Sequence, residues 1–551
     1  MNKSGTVLKR LGVLLLTWLI AAGGMVTGAP RLFARAEDAA SQAGTQYEAA
    51  QALFDAQEYE KAYEAFEALG DYEDSRARAS ISKKKWKAAR YKEAEGLYRD
   101  RQYREAQAIF EALDDYEKSR SYVSDCTWRI AREDFLHGKE LFAAGDYEGA
   151  LAVFEALGGF SDSEERAQAA REQIEAQKQA AVEQECYDRA MALKEAGDLE
   201  AARDAFIEAG DCQDATAQLY EVVHTLTLRD AYEKARGYLD GGAYESAYHL
   251  FLALEDYENS AELAAQARES WLASVYGQAT SLQAENPARA YLLLLSLDGY
   301  QDSAALAGGL RETLEERDVY EAADALEQEG LCDLAMRGFE AVSAYEDSRE
   351  RAELLSETVK KSQDFTRALC LAEVGQQEQA NEMLRSLEDF QNASLHIWPV
   401  ANFSAKQLRD DKTSPKSDVF TAPDGTKHRY QIFKGVRTWK EAKVFCEVLG
   451  GHLATPTTDE ENQFVYRFMR DSGYLTAYFG LSDEKRVGDW IWVTGEPFEY
   501  TNWHRGEPSR SGRERYGMYF YKHTDGTWND SHFYEDAEVD PGCSYICEWD
   551  E

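Results

Sequence analysis

Proline is almost missing from the first four hundred residues. Between Arg31 and Trp398 only Pro287 occurs, whereas Pro399, Pro415, Pro423, Pro456, Pro497, Pro508 and Pro541 fall in the remainder. Because proline costs about 3 kcal/mol inside a helix, the long stretch is free to be continuous helix and the tail is not. The character of the chain changes near residue 400, and the charged and small residues from Ala405 to Ser417 read as a linker. At 551 residues the chain exceeds what one hydrophobic core organises, so at least two structural units are expected.

Basic charge is also scarce. With 61 Lys plus Arg against 101 Asp plus Glu, the net charge of −40 excludes attraction to nucleic acid or to an anionic membrane through a general field. No block of like charge is long enough for an acidic tail, so the carboxylates read as a solvated surface, some of it able to meet Ca²⁺. Catalytic signatures are missing too: there is no H-E-x-x-H, no Gly-rich phosphate loop, no G-x-S-x-G elbow and no metal-type Cys/His cluster. His452, His504, His523 and His532 have no nucleophile spaced to use them, so the chain reads as a binding protein and not an enzyme.

What is present begins with an export signal. Lys3, Lys9 and Arg10 precede an apolar run from Leu11 to Val26, and Ala34-Arg35-Ala36 fits a cleavage site before Glu37. The run is long for a signal peptide and short for a membrane span, so residues 1–36 are either a cleaved signal or a retained anchor. Either way the remainder is expected outside the cytoplasm, secreted or at the cell surface, with membrane contact only through this segment.

Residues 45–397 are repetitive. Asp71-Tyr72-Glu73-Asp74-Ser75 recurs as Asp115 to Ser119, Asp256 to Ser260 and Ala344 to Ser348, with looser copies ending at Ser163, Ala215, Ser303 and Ala393. The eight ends lie 43 to 45 residues apart except for one interval of 52, the period range of helical solenoids. Upstream of each marker sits a helical stripe: Tyr59, Ala62, Phe66, Leu69, then Tyr103, Ala106, Phe110, Leu113, and so on to a softened Gln377, Ala380, Leu384, Leu387. The small alanine admits a neighbouring helix and the Phe and Leu fill the groove. The marker reads as a helix start, with Asp71 as N-cap and Asp74 accepting from the next free N–H groups. The eight extra residues of the long interval are close to two helical turns, about 7.2 residues, so lengthening one helix after Ser163 keeps its apolar face in phase. This array resembles the tetratricopeptide-like repeats of exported Gram-positive bacterial proteins. The resemblance implies an all-α superhelical spacer or docking surface, with a protein partner on it.

After a linker over 398–420, residues 421–551 change to aromatic, strand-like sequence. Trp439, Ala442, Phe445 and Cys446 share a helical face that stops at Gly450-Gly451, and a second helix runs through Glu460 to Phe468. With them, in order, come His452-Leu453-Ala454, Glu461-Asn462, Phe479-Gly480-Leu481, Trp490-x-Trp492, Asn502-Trp503, Glu507-Pro508-Ser509, Trp528-Asn529-Asp530 and Ile546-Cys547-Glu548. This series resembles a C-type lectin domain. The resemblance implies an α+β double-loop fold with two helices, two small antiparallel sheets and a long loop bearing the ligand site. It also implies a disulfide between Cys446 and Cys547, while the family's second bridge has no partner for Cys543. The other cysteines, 126, 186, 212, 332 and 370, read as buried thiols of the helical array.

The same resemblance implies a Ca²⁺ held by Glu507, Ser509, Glu514, Asn529 and Asp530, next to a cis Pro508. Glu507 and Asn529 would also bond a mannose-type glycan, since Ca²⁺ takes six to eight oxygens and leaves part of its shell for sugar hydroxyls. Ser509 departs from the amide or carboxylate of the family pattern. An auxiliary Ca²⁺ site is not expected, because Asp483 matches but Val487, Arg510 and Arg515 stand at the other acidic positions. Arg505, Arg510, Arg513 and Arg515 could instead pair with an anionic glycan. The alternative to a sugar is a surface protein recognised without Ca²⁺.

Overall fold

A computed structural model describes residues 29–550, apart from residues 389, 412–413, 435–436, 485, 510–513 and 533–542. Most of the expected export segment, residues 1–28, lies outside the described residues, and Ala34 to Ala36 fall within a helix spanning Ala29–Asp55. Among the described residues no helix is long and apolar enough to cross a membrane. The chain forms two compact units, one ending at Lys178 and the other Gln179–Glu551.

In the first unit long helices, Ser75–Arg99 and Ser119–Ala143, alternate with short ones, Tyr59–Ala68, Tyr103–Leu113 and Tyr147–Leu157. The stripe residues behave as their spacing requires: Ala62, Phe66, Ala106, Phe110, Ala150 and Phe154 are all buried. Burying each phenylalanine stabilises its hairpin by roughly 2–3 kcal/mol, more than a short helix gains from propensity. The long interval is one continuous helix, Ser163–Ala196, of 34 residues against 25 for Ser119–Ala143.

The marker works differently from the expected cap. The long helix begins at Ser75 with Asp74, not Asp71, at the N-cap, and the Asp74 carboxylate caps no backbone N–H. It accepts instead from the Tyr47 hydroxyl at 2.5 Å, while Asp71 pairs with Arg76 at 2.7 Å. The clasp repeats at Tyr187–Asp214 (2.5 Å), Tyr232–Asn259 (2.6 Å), Tyr276–Asp302 (2.5 Å) and Tyr320–Asp347 (2.7 Å). Each joins one helix to the start of a later one, so the Asp or Asn at the N-cap is a tertiary acceptor. The Tyr47 and Tyr187 hydroxyls hold the Asp74 and Asp214 carboxyls below the usual range. The residue before the N-cap adopts a left-handed backbone, φ 46° at Glu73 and 44° at Glu346, which reverses the chain at about 1 kcal/mol per non-glycine residue. In the Ser303 repeat the long helix is broken into Ser303–Arg311 and Glu316–Gln328, where Gly308-Gly309 weaken helix and a Glu315/Asp318 capping box restarts it.

The second unit continues the array and carries the C-terminal fold. The expected linker is not loose there. Its helix α3, Ala405–Asp411, packs on α1, Leu199–Ala209, and α2, Ala215–Asp240, with Ala405 and Leu408 fully buried. Phe403 stacks on Tyr220 at 4.5 Å and its N–H donates to the Tyr220 hydroxyl at 2.9 Å. Arg409 pairs with Glu183 at 2.5 Å, both largely buried. Asn381 clasps the Trp398 backbone at 2.6 and 3.1 Å, and the buried Lys440 ammonium donates to the Ile397 carbonyl at 2.7 Å. The segment is a strap that binds the terminal fold to the repeats.

The terminal fold has helices α4, Trp439–Val448, opened by a Thr438/Glu441 capping box, and α5, Asp459–Asp471, capped by Thr458. Its strands are β1 Phe420–Thr421, β2 Lys427–Lys434, β3 His452–Leu453, β4 Ala477–Ser482, β5 Ile491–Trp492, β6 Glu514–Tyr519, β7 Trp528–His532 and β8 Ser544–Asp550. Instead of two separate sheets, the described strands connect in one, ordered β1-β2-β8-β4-β6-β7, with β3 on β8 and β5 on β4. Only β4 and β8 run parallel among the described pairs. The predicted face of α4, Trp439, Ala442, Phe445 and Cys446, is buried.

At the repeat helix starts, Ser75, Ser119, Ser260, Ser303 and Ser348 are fully buried with hydroxyls that find no partner among the described residues, whereas Ala215 fills the same place. Replacing Ser260 by Ala should therefore leave stability unchanged or raise it by about 1 kcal/mol, read as a calorimetric midpoint that does not fall.

Candidate functional site

The strands that present the long loop are organised by Trp528. Its indole is fully buried and donates to Asn462 Oδ1 on α5 at 2.6 Å, an oxygen that also accepts the Tyr519 hydroxyl at 2.8 Å. Tyr500, Trp492 and Trp503 meet the same ring edge-on at 5.4 to 5.8 Å. The Trp528 backbone receives the loop, its N–H donating to the Asn502 carbonyl (2.8 Å) and its carbonyl accepting from the His504 N–H (2.9 Å). Residues 529 and 530, next along β7, therefore sit at a fixed depth beneath residues 504–509.

Four of the five expected ligands come together there. Glu507-Pro508 is a cis peptide bond. The Ser509 N–H donates to Asp530 Oδ2 at 2.8 Å, and the Ser509 hydroxyl lies 3.1 Å from the same oxygen and bonds the Glu514 carboxylate. Asp530 is buried, and its other oxygen, Oδ1, finds no hydrogen-bond donor among the described residues. Burial, the hydrogen bond with Asp530 and the charges of Asp530 and Glu514 push the Glu507 carboxyl up to about 7. Three carboxylates gathered around an unsatisfied oxygen, with one of them retaining a proton, fit a hard divalent cation that would replace that proton. Glu507, Glu514, Asp530 and the Ser509 hydroxyl would hold it. Asn529 stands at the edge of the group, its amide donating to the Asp530 carbonyl and its oxygen 3.4 Å from His523 Nε2. His523 stacks on His504 at 3.7 Å, an aromatic pair that sequence spacing gave no means of joining across nineteen residues of loop and strand. Arg510 and Arg513 lie outside the described residues.

The auxiliary position is filled by the protein itself. Arg515 is buried, its Nε donating to Asp483 Oδ1 at 2.6 Å and its terminal nitrogen to the Asp483 carbonyl at 2.5 Å, while the Gly488 N–H donates to Asp483 Oδ2 at 2.6 Å. An internal guanidinium thus supplies the positive charge at that place. Cys446 and Cys547 lie together, fully buried, as thiols, and burial with the Cys446 contact raises the Cys547 thiol. The cysteines of the helical array are also thiols, Cys126 and Cys186 buried and Cys212, Cys332 and Cys370 partly so.

This arrangement defines a class. The family described as "Lectin C-type domain" matches residues 436–548. Among curated proteins the chain is similar to a perlucin-like protein of Mytilus galloprovincialis, 33% identical over 117 residues that make up 20% of this chain and 65% of that protein. It is likewise similar to C-type lectin domain family 4 member D of Homo sapiens, 34% identical over 96 residues, 17% of this chain and 44% of that one. The chain thus spans less than two thirds of the length of these two relatives. Among solved structures, the carbohydrate-recognition domain of the human scavenger receptor C-type lectin is 29% identical, with a TM-score of 0.20 over 24% of this chain and 96% of that domain. Residues 436–548 of this chain are thus a match to the C-type lectin domain, and they follow the helical repeat array.

The Arg515–Asp483 pair makes a direct test of the internal cation. Removing one partner of a buried ion pair strands the other, so Arg515→Ala should lower stability by about 3–5 kcal/mol, measured by calorimetry. A midpoint within error of the parent would show that the guanidinium is not needed there.

Proposed function

We propose that the protein is an exported or cell-surface binding protein whose lectin domain recognises carbohydrate through Ca²⁺, with the repeat array as the arm that carries it. The observation that supports this most strongly is the meeting of Glu507, Glu514, Asp530 and Ser509 around a buried oxygen without a donor. A Ca²⁺ on these four, with Asn529 turning in as a fifth ligand, leaves room in a shell of six to eight oxygens for two vicinal hydroxyls of a mannose-type sugar. The array offers a long repetitive surface on which a protein partner would dock. Membrane contact, if the N-terminal segment is retained, is confined to that segment.

Calcium titration of the full chain, followed by tryptophan fluorescence, tests the mechanism, since Trp528 directly precedes Asn529 and Asp530 on β7 and packs on Trp503. Saturable binding should disappear in Asp530→Asn and weaken strongly in Glu507→Gln. Because Glu507 titrates at about 7 and Ca²⁺ needs its carboxylate, affinity should fall on acidification, approaching about tenfold per pH unit below pH 7. A glycan array probed with Ca²⁺ and again with chelator should show chelator-sensitive mannose-type binding. No Ca²⁺ effect in either assay would leave recognition of a surface protein without Ca²⁺, a reading favoured by the engagement of Asn529 with His523.

Export would also expose Cys446 and Cys547 to oxidation, and their contact supports a disulfide in the exported protein. Alkylation before and after reduction, read by mass spectrometry, should show this pair bridged, whereas two alkylated thiols in the unreduced protein would refute the bond.

A further inference from the structure

A second cluster of ligating groups lies on the opposite part of the sheet from the loop, where β2, β3 and β8 meet. In the antiparallel register His428 faces Asp550, and Glu548 is flanked by Tyr430 on β2 and His452 on β3. Opposed residues share a face and alternate residues return to it, so His428, Glu548, Asp550 and His452 all project to one side. The contacts agree. His428 Nδ1 lies 2.7 Å from Glu548 Oε1 and 2.9 Å from Asp550 Oδ1, and donor atoms of these three residues all fall within 4.8 Å of one another. From the other flank His452 Nε2 reaches to 3.5 Å from Asp550 Oδ2.

Both imidazoles are oriented as ligands are. His452 Nδ1 lies 3.0 Å from the Leu453 carbonyl, which only accepts, so the hydrogen is on Nδ1 and the lone pair is on Nε2. That Nε2 is shielded from solvent and has no hydrogen-bond partner among the described residues. The Thr426 hydroxyl donates to Asp424 at 2.7 Å and so accepts from His428 Nε2 at 3.1 Å, which aims Nδ1 at the carboxylates. Glu548 is almost fully buried, and its Oε2 is held by the Thr455 N–H at 2.7 Å, leaving Oε1 to face His428. These contacts form the outer shell that fixes metal ligands in place. Glu461 lies close behind, its carboxylate accepting from the Tyr430 hydroxyl at 2.6 Å, so three carboxylates, Glu548, Asp550 and Glu461, gather beside the two imidazoles. A dication would offset the charge of these carboxylates.

We propose that His428, His452, Glu548 and Asp550 form a binding site for a divalent transition metal of the Zn²⁺ type, separate from the loop. Two imidazole nitrogens with two carboxylates match the borderline-soft preference of Zn²⁺ and disfavour Ca²⁺, which takes oxygen. Binding ties the first long strand of the domain, the short β3 and the last strand together. Asp550, the most exposed of the four, is the ligand free to swing between the two imidazoles.

The test is calorimetric titration of the full chain with Zn²⁺ in excess Ca²⁺, with Co²⁺ as a spectroscopic substitute. One equivalent should bind, Co²⁺ should give visible bands of tetrahedral coordination, and Zn²⁺ should raise the unfolding midpoint. Affinity should drop at least about 100-fold in His428→Ala and in His452→Ala, and about tenfold in Thr426→Val, which removes only the orienting contact and should leave the fold intact. His137→Ala, an exposed histidine of the array, should change nothing. Absence of stoichiometric Zn²⁺ binding, or affinity that survives both His428→Ala and Thr426→Val, would overturn the proposal.

Discussion

The hydrogen bond from the Trp528 indole to Asn462 is the constraint on which the binding head depends. A buried N–H without a partner would cost about 1–3 kcal/mol, so the indole can sit in the core only where α5 supplies an acceptor. Asn462 meets that demand and, through its own amide, holds the Gly526 carbonyl at 3.1 Å, which Asn502 also holds at 2.9 Å. One side chain thereby fixes β7, the turn before it and the segment that leads to Glu507. The aromatic rings packed edge-on around Trp528 add area and leave little freedom in the depth of Asn529 and Asp530 beneath the loop.

Charge is handled in two ways within the same domain. Where a guanidinium can be built in, as at Arg515 beside Asp483, the carboxylate is neutralised internally and no exchangeable ion is required. At the loop, burial and the neighbouring Asp530 and Glu514 let Glu507 keep its proton to a pH near neutrality. That contrast distinguishes a carboxylate neutralised by an internal guanidinium from one that keeps a proton.

Much of this was legible in the chain. The periods of Tyr, Ala, Phe and Leu fix the short helices because burial on one helical face is a local, repeating demand, and the 52-residue interval resolves into one lengthened helix for the same reason. The meeting of Ser509, Glu514 and Asp530 was readable from ordered motifs, each held by short-range geometry. What was not legible depends on contacts far apart in sequence. Asp74 has the composition of a cap, but its oxygen goes to a tyrosine 27 residues earlier, and nothing local distinguishes the two uses. The segment 398–420 reads as a linker, yet Leu408 and Phe403 within it find their pocket on helices about two hundred residues upstream. His428 and His452 carry no motif, and only the strand register brings them to the same two carboxylates.

The strap has a mechanical meaning. A head on a flexible tether swivels before it transmits force, whereas this one is bound to its own repeats by Phe403 on Tyr220, Arg409 on Glu183 and Lys440 on the Ile397 carbonyl. A pull on the head therefore enters the helices directly and loads those three contacts in parallel before any slack is taken up. Within this unit the repeats serve as a stiff lever, and the direction in which the head faces is set by the stacking of helices and not by diffusion of a linker.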